Sequence, residues 1–203
     1  MSTNVDAGTH SRARQYAWKL RDIVVTGILC VAGGGLFMGA DWLYNILFPG
    51  TASPIFSNAI NGLWFIPAIL IPYIIRRPGA ALIAELVSSL FEFAFGSPYS
   101  TGAIISGLVQ GLGAEIGFAL FAWKSYRMPT SHLAGALAGA GYSVQAWYQY
   151  GWSGYTAAVA LGAFIMTLIS GAILGGALSK WIGDALRRTG VLRNFEIDRQ
   201  ARR

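Results

Sequence analysis

The chain alternates long apolar runs with short polar breaks, and the runs are the predicted elements. They cover about 23–40, 59–75, 80–95, 101–123, 131–148 and 156–182. Each is near the length at which a helix crosses a hydrocarbon layer of about 30 Å. A polar leader, 1–22, precedes them, and an amphipathic basic tail, 184–203, follows. The leader could open a signal peptide, but the run after it is long, and Gly33-Gly34-Gly35-Leu36-Phe37 is a poor small-residue cleavage site. The expectation is a cytoplasmic leader entering a retained helix. Residues 41–58 hold aromatics and turn formers and read as a loop. Pro67 and Pro72 fall inside the second run, which membrane helices tolerate where neighbours satisfy the freed carbonyls.

Charge changes this picture from six apolar runs into a topology. Only 12% of the 203 residues are charged and 54% are hydrophobic, against about 25% charged in a soluble domain. All 15 Lys and Arg residues lie in or beside four segments: the leader, the turn at Arg76-Arg77-Pro78-Gly79, the turn at Lys124 to Pro129, and the tail with Lys180 just before it. The other three connections hold none. With six spans the four basic segments share one side, so the positive-inside rule sets both termini in the cytoplasm. The expected fold is an all-α integral membrane protein of the plasma membrane. The net charge of +6 is then explained by orientation and contact with anionic membrane lipid, and nucleic acid is not an expected partner. The lone Cys30 reads as a small buried apolar residue.

Chemistry concentrates in the hairpin from Arg76 to Lys124. Its two apolar runs carry Glu85, Glu92 and Glu115, with Gln110. An acid at bilayer depth is costly and marks a functional-site hypothesis, although a structural hydrogen bond to a serine or backbone group is the plain alternative. Glu85 and Glu92 are seven residues apart, hence on one helix face with about 20° of offset. Gln110 and Glu115 diverge by about 140° around an ideal helix, so both meet one cavity only if that helix is central or distorted. On the first run Gly27, Val31, Gly35 and Gly39 form a four-residue spacing of small side chains, suited to close helix approach or to ordinary bundle packing. Tyr142, Trp147, Tyr148, Tyr150, Trp152 and Tyr155 form an aromatic cluster of the kind found at a membrane interface.

No enzyme signature is present: there is no His-Glu-x-x-His, Gly-x-Ser-x-Gly or P-loop. His10 and His132 sit in the leader and near a basic turn. No catalytic residue, cofactor or metal site is expected.

The string Gly62-Leu63-Trp64-Phe65-Ile66, the turn Arg76-Arg77-Pro78-Gly79-Ala80-Ala81-Leu82 followed by Glu85, and Gly107-Leu108-Val109-Gln110-Gly111-Leu112-Gly113-Ala114-Glu115 resemble the YkoE family of S components from energy-coupling factor (ECF) transporters. The resemblance spans about residues 20 to 195. It implies a membrane-embedded binding protein for thiamine or its hydroxymethylpyrimidine precursor. Its implied partners are a transmembrane coupling subunit (T component) and two ATPase subunits, with Gly27, Val31 and Gly35 a loose match to the docking stripe of the first helix. Thiamine is a cation with an aminopyrimidine edge; carboxylates suit both features, and aromatic faces suit its rings and charge. Glu85, Glu92, Trp64, Gln110, Glu115, Tyr44 and Trp147 are the expected ligand-binding residues. The competing class is a self-sufficient proton-coupled secondary transporter using Glu85, Glu92 and Glu115. Inverted repeats would support it, and none is visible.

The topology is directly testable. A cysteine at Ser57 or Ser153 should react with an impermeant thiol reagent applied outside, and one at Ser125 only after the cells are permeabilised. The reverse pattern would overturn the orientation.

Overall fold

The computed structural model describes residues 17–50, 53–193 and 195–201. Residues 1–16, with Arg12 and Arg14 of the basic leader, and the terminal Arg202 and Arg203 lie outside the described residues. The chain is all helical, with no strand among the described residues. In order come α1 (Leu20–Leu47), α2 (Pro54–Ser57), a 3-10 segment (Asn58–Phe65), α3 (Ile66–Ile75), α4 (Ala80–Ala94), α5 (Thr101–Ala119) and α6 (Met128–Gln149). After a 3-10 turn (Trp152–Gly154) follow α7 (Ala157–Ser170), a π segment (Gly171–Leu178), α8 (Ser179–Arg188) and the short α9 (Glu196–Ala201). Among the described residues four stretches are long and apolar enough to cross a membrane: Leu20–Leu47, Pro54–Ile75, Thr101–Ala119 and Ala157–Arg188. Of the other predicted spans, α4 has 15 residues and α6 has 22.

α1, α4, α5, α6 and the π segment pack in that order, and the stretch Pro54–Ile75 lies among them. This explains why α3 is apolar all round: nine of its ten residues are buried, all but Leu70, which is the pattern of a core helix. The surrounding helices send Ile23, Ile28, Leu108, Ile116, Leu161 and Ile173 outward, as a lipid-facing surface requires.

Prolines shape the central stretch. Pro67 has no N–H, so the Leu63 carbonyl cannot receive its i+4 bond and accepts from Ile66 N–H instead. The chain therefore winds as 3-10 helix up to Phe65. Ser170 braces it, accepting from Gly62 N–H at 2.9 Å and donating to the Ala59 carbonyl at 2.7 Å. Just beyond, the last long helix widens into its π segment against α6. A Cβ on Gly176 would lie 2.8 Å from the His132 Cα, so only glycine permits that approach.

Three expectations change. α1 continues to Leu47, so 41–47 is helix and not loop. The last helix continues through residue 184 to Arg188. The tail beyond it folds back, with Leu192, Phe195 and Ile197 buried in the same core as Ile71, Ile74 and Ile75. Arg77 joins the ends there, 3.5 Å from Asp22 and 3.5 Å from Glu196, while Trp18 Nε1 donates to the Pro78 carbonyl at 3.3 Å.

Glu115 works at this same end of the bundle. Its Oε1 accepts from Gly79 N–H at 2.6 Å and Trp123 Nε1–H at 2.7 Å, and its Oε2 accepts from Ala81 N–H at 2.9 Å. These amides open α4 and have no partner within their own helix. A carboxylate on a neighbouring helix supplies one, at the helix terminus where negative charge is favoured. Charge-assisted hydrogen bonds contribute about 1.5–3 kcal/mol each. Glu115→Ala should therefore destabilise the fold by about 2 kcal/mol or more, lowering the melting temperature of detergent-purified protein by roughly 4–8 °C. An unchanged melting temperature would show that Glu115 holds nothing together.

Candidate ligand-binding site

A cavity of about 220 Å³ opens at the end of the bundle away from Glu115. α1 contributes Phe37 and Tyr44, and the 3-10 segment contributes Asn58, Asn61, Trp64 and Phe65. α4 brings Ser89 and Glu92, α5 brings Ala103, Ser106 and Gln110, and Tyr99 stands in the turn between them. Tyr142, Tyr150, Trp152 and Tyr155 complete the wall. The 3-10 winding bears on this site: three residues per turn put Asn58, Asn61 and Trp64 in one row, and all three reach the cavity.

The walls are aromatic and the rings brace one another. Tyr44 meets Trp64 edge-on at 6.2 Å between centroids, and Tyr142 meets Trp152 edge-on at 6.1 Å. On the α5–α6 side, Ser106 Oγ–H donates to Gln145 Oε1 at 2.7 Å and Gln145 Nε2–H donates to the Gly102 carbonyl at 3.0 Å.

Negative charge gathers on the α1–α4 side. Glu92 lines the cavity, and Asp41 on α1 stands behind it, 1% exposed. Trp64 Nε1–H donates to Asp41 Oδ1 at 3.1 Å. Ser97 Oγ lies 2.9 Å from Glu92 Oε1 and 3.4 Å from Asp41 Oδ2. Among the described residues no Lys, Arg or His lines the cavity. Burial, and then the Asp41 carboxylate, hold the Tyr99 phenol above its ordinary range, so it remains a neutral hydroxyl at physiological pH. Gln110 is only 4% exposed and lines the cavity, yet among the described residues its amide has no hydrogen-bond partner. Buried amides in native proteins are nearly always paired, so this one is available to something entering the cavity. Among the described residues no group of three His, Cys, Asp or Glu side chains could hold a metal ion.

Of the residues expected from sequence, Glu92, Trp64, Gln110 and Tyr44 come together here. Three stand apart. Glu85 is fully buried outside the cavity lining, its Oε2 accepting from Ala68 N–H at 2.9 Å. Glu115 serves the opposite end. Trp147 faces outward beside Val144, Leu161 and Phe164 in a separate shallow groove. The seven-residue spacing was sound as geometry, but Glu85 lies two turns deeper than Glu92, at the junction of the 3-10 segment and α3, where a backbone amide claims it.

Asp41 and Asn61 were missed, and both had a signal. The buried face of α1, with Cys30, Gly33, Phe37 and Ala40, continues at helical spacing to Asp41. Asn61 precedes Trp64 by one 3-10 turn.

Residues 21–141 match the family described as "ABC-type cobalt transport system, permease component". The putative HMP/thiamine permease protein YkoE of Bacillus subtilis (strain 168) is 33% identical over 187 residues, covering 92% of this chain and 94% of that protein. A solved structure described as an S-component of an ECF transporter aligns with a TM-score of 0.88 at 33% identity, covering 92% of this chain and 94% of that one. The chain belongs to the YkoE family of ECF-transporter S components, which are integral plasma-membrane transport subunits and not enzymes.

Proposed function

We propose that this S component captures thiamine or its hydroxymethylpyrimidine precursor from outside the cell and presents it for ATP-driven uptake. The observation that carries the reading is the cavity's composition. An aromatic-walled site with a buried carboxylate pair, no basic residue and one unpartnered amide suits a flat, cationic or amine-bearing ligand. Glu92 would face the positive charge or the amine, where a charge-assisted hydrogen bond is strong. Gln110 offers the donor and acceptor that an aminopyrimidine edge needs. Tyr44, Trp64 and Tyr142 offer ring faces and edges for stacking and cation–π contact. The relative's printed name, with HMP and thiamine, supports the same ligand class. At about 220 Å³ the cavity is smaller than the usual drug-sized pocket, which suits a compact vitamin.

The same reading gives the chain six spans and cytoplasmic termini. The cavity then opens outward, and the end built from Glu115, Arg77 and the folded-back tail faces the cytoplasm. The T component and two ATPase subunits would supply the energy that this chain has no motif to supply. Gly27, Val31 and Gly35 are proposed to meet the T component. A side chain on Gly27 or Gly35 would touch nothing within 4 Å, and Val31 is exposed, so this stripe is uncovered within the chain itself.

Removing one member of a buried charged pairing costs about 3–5 kcal/mol, or roughly two to four decades of affinity. Glu92→Gln should weaken thiamine binding at least tenfold in calorimetry while leaving the purified protein folded, and Trp64→Ala should weaken it less. Glu85→Gln should alter the melting temperature more than the affinity. Thiamine binding by Glu92→Gln at parental strength would move the ligand elsewhere. Reconstituted alone, the chain should show no concentrative uptake, and adding its coupling subunit and ATPases should produce it. Uptake by the purified chain under a proton gradient would instead favour the self-sufficient carrier.

A further inference from the structure

Two buried carboxyl groups in one wall need something between them. Asp41 and Glu92 are 1% and 3% exposed, and a single hydroxyl, Ser97 Oγ, reaches both carboxyl groups. Ser97 faces both, at 2.9 Å from Glu92 and 3.4 Å from Asp41, but a hydroxyl has only one hydrogen to give. Trp64 Nε1–H serves Asp41 alone. The groups facing the pair from neighbouring elements are Tyr44 on α1, Tyr99 in the α4–α5 turn, Tyr150 at the end of α6 and Glu85 deeper on α4. None of these carries positive charge. Two like charges this close do not both ionise unaided, and such pairs hold one proton in common. The unpartnered Gln110 amide across the same cavity independently marks the space as one built for a ligand.

We infer that Asp41 and Glu92 share one proton in the empty site and release it when a cationic ligand binds, so that the pair selects charge by exchange. The balance is simple. Empty, the pair carries one proton and one negative charge. As a monocation enters, the carboxyl O–H bond breaks and its electrons stay on oxygen. The proton leaves to water at the cavity mouth. Two carboxylates facing one cation have the same net charge as before, so the buried wall never holds an uncompensated second charge. Trp64 Nε1–H stays on Asp41 and Ser97 Oγ–H on Glu92, which leaves each carboxylate a donor in the occupied state. Asp41 is thus a specificity-determining residue that acts through Glu92, although it does not line the cavity itself. A neutral ligand cannot replace the proton and gains nothing from the pair's second charge.

This inference rests on the binding reading above, and its test separates the two. Calorimetric titration of the purified chain with thiamine, in buffers of different ionisation enthalpy, counts protons released on binding. The count should approach one at the acid end of the titration, and it should fall as rising pH strips the empty pair without help. Over the range in which release occurs, affinity should tighten by about tenfold per pH unit. Hydroxymethylpyrimidine in its neutral form, titrated where thiamine's release is largest, should release none. Asp41→Asn cannot hold the shared proton, so it should abolish both the release and the pH dependence. Thiamine binding with no proton release and equal affinity from about pH 6 to 8 would overturn the exchange while leaving the binding function intact. That wild-type result decides the matter even if Asp41→Asn fails to fold. Failure of both ligands to bind at any pH would overturn the exchange and the binding reading together.

Discussion

The Ala68 amide and the Leu63 carbonyl are the backbone groups on which the cavity depends. Inside a membrane protein a freed backbone group has no water to turn to, so it must find a partner in the chain. Pro67 removes one donor from the central stretch, and the winding tightens to let Ile66 serve Leu63. Ala68 N–H then bonds to Glu85 across the gap to α4, while Ser170 ties Gly62 and Ala59 to the last long helix. The 3-10 row that results carries Asn58, Asn61 and Trp64 into the cavity. Shifted to ordinary α winding, those three residues would spread around the helix and the wall would come apart.

The three glutamates of the hairpin show how partners, more than residue type, set a role. Glu115 has backbone amides and an indole for its two oxygens, so it acts as a staple at one end of α4. Glu85 has the Ala68 amide and otherwise apolar or hydroxyl neighbours, so it joins helices. Glu92 has one serine, shared with a second acid, and an open cavity beside it. Among the described residues Glu85 Oε1 also lacks a hydrogen-bond partner, but it is closed inside the bundle; of the three, only Glu92 turns its carboxyl to the cavity.

Much of this was legible in the chain. Periodic apolar runs, the segregation of every Lys and Arg, and the Gln110 to Glu115 string pointed to a helical membrane protein of this family. Glu92, Trp64, Gln110 and Tyr44 were read as site residues, and they meet in one cavity. What the pattern could not give was depth and neighbour. Helical spacing puts Glu85 and Glu92 on one face, but says nothing of the amide that meets one and not the other. The stretch 41–47 looked like loop because an acid and several aromatics follow an apolar run. The acid is buried there because Trp64 and Ser97, 23 and 56 residues away, bring their donors to it. Such long-range pairings have no local signature.

The glycines of α1 carry the same lesson further. Read as a string, Gly27, Gly33, Gly34, Gly35 and Gly39 form one small-residue helix. In the fold they divide. A Cβ on Gly34 would lie 2.9 Å from the Glu92 backbone nitrogen, so α1 meets α4 backbone to backbone at the turn that carries the cavity's carboxylate. Gly27, Gly35 and Gly39 meet nothing and lie with exposed Val31 on another side of the helix. One side of α1 therefore sets the spacing between Asp41 and Glu92, and another is left uncovered among the described residues.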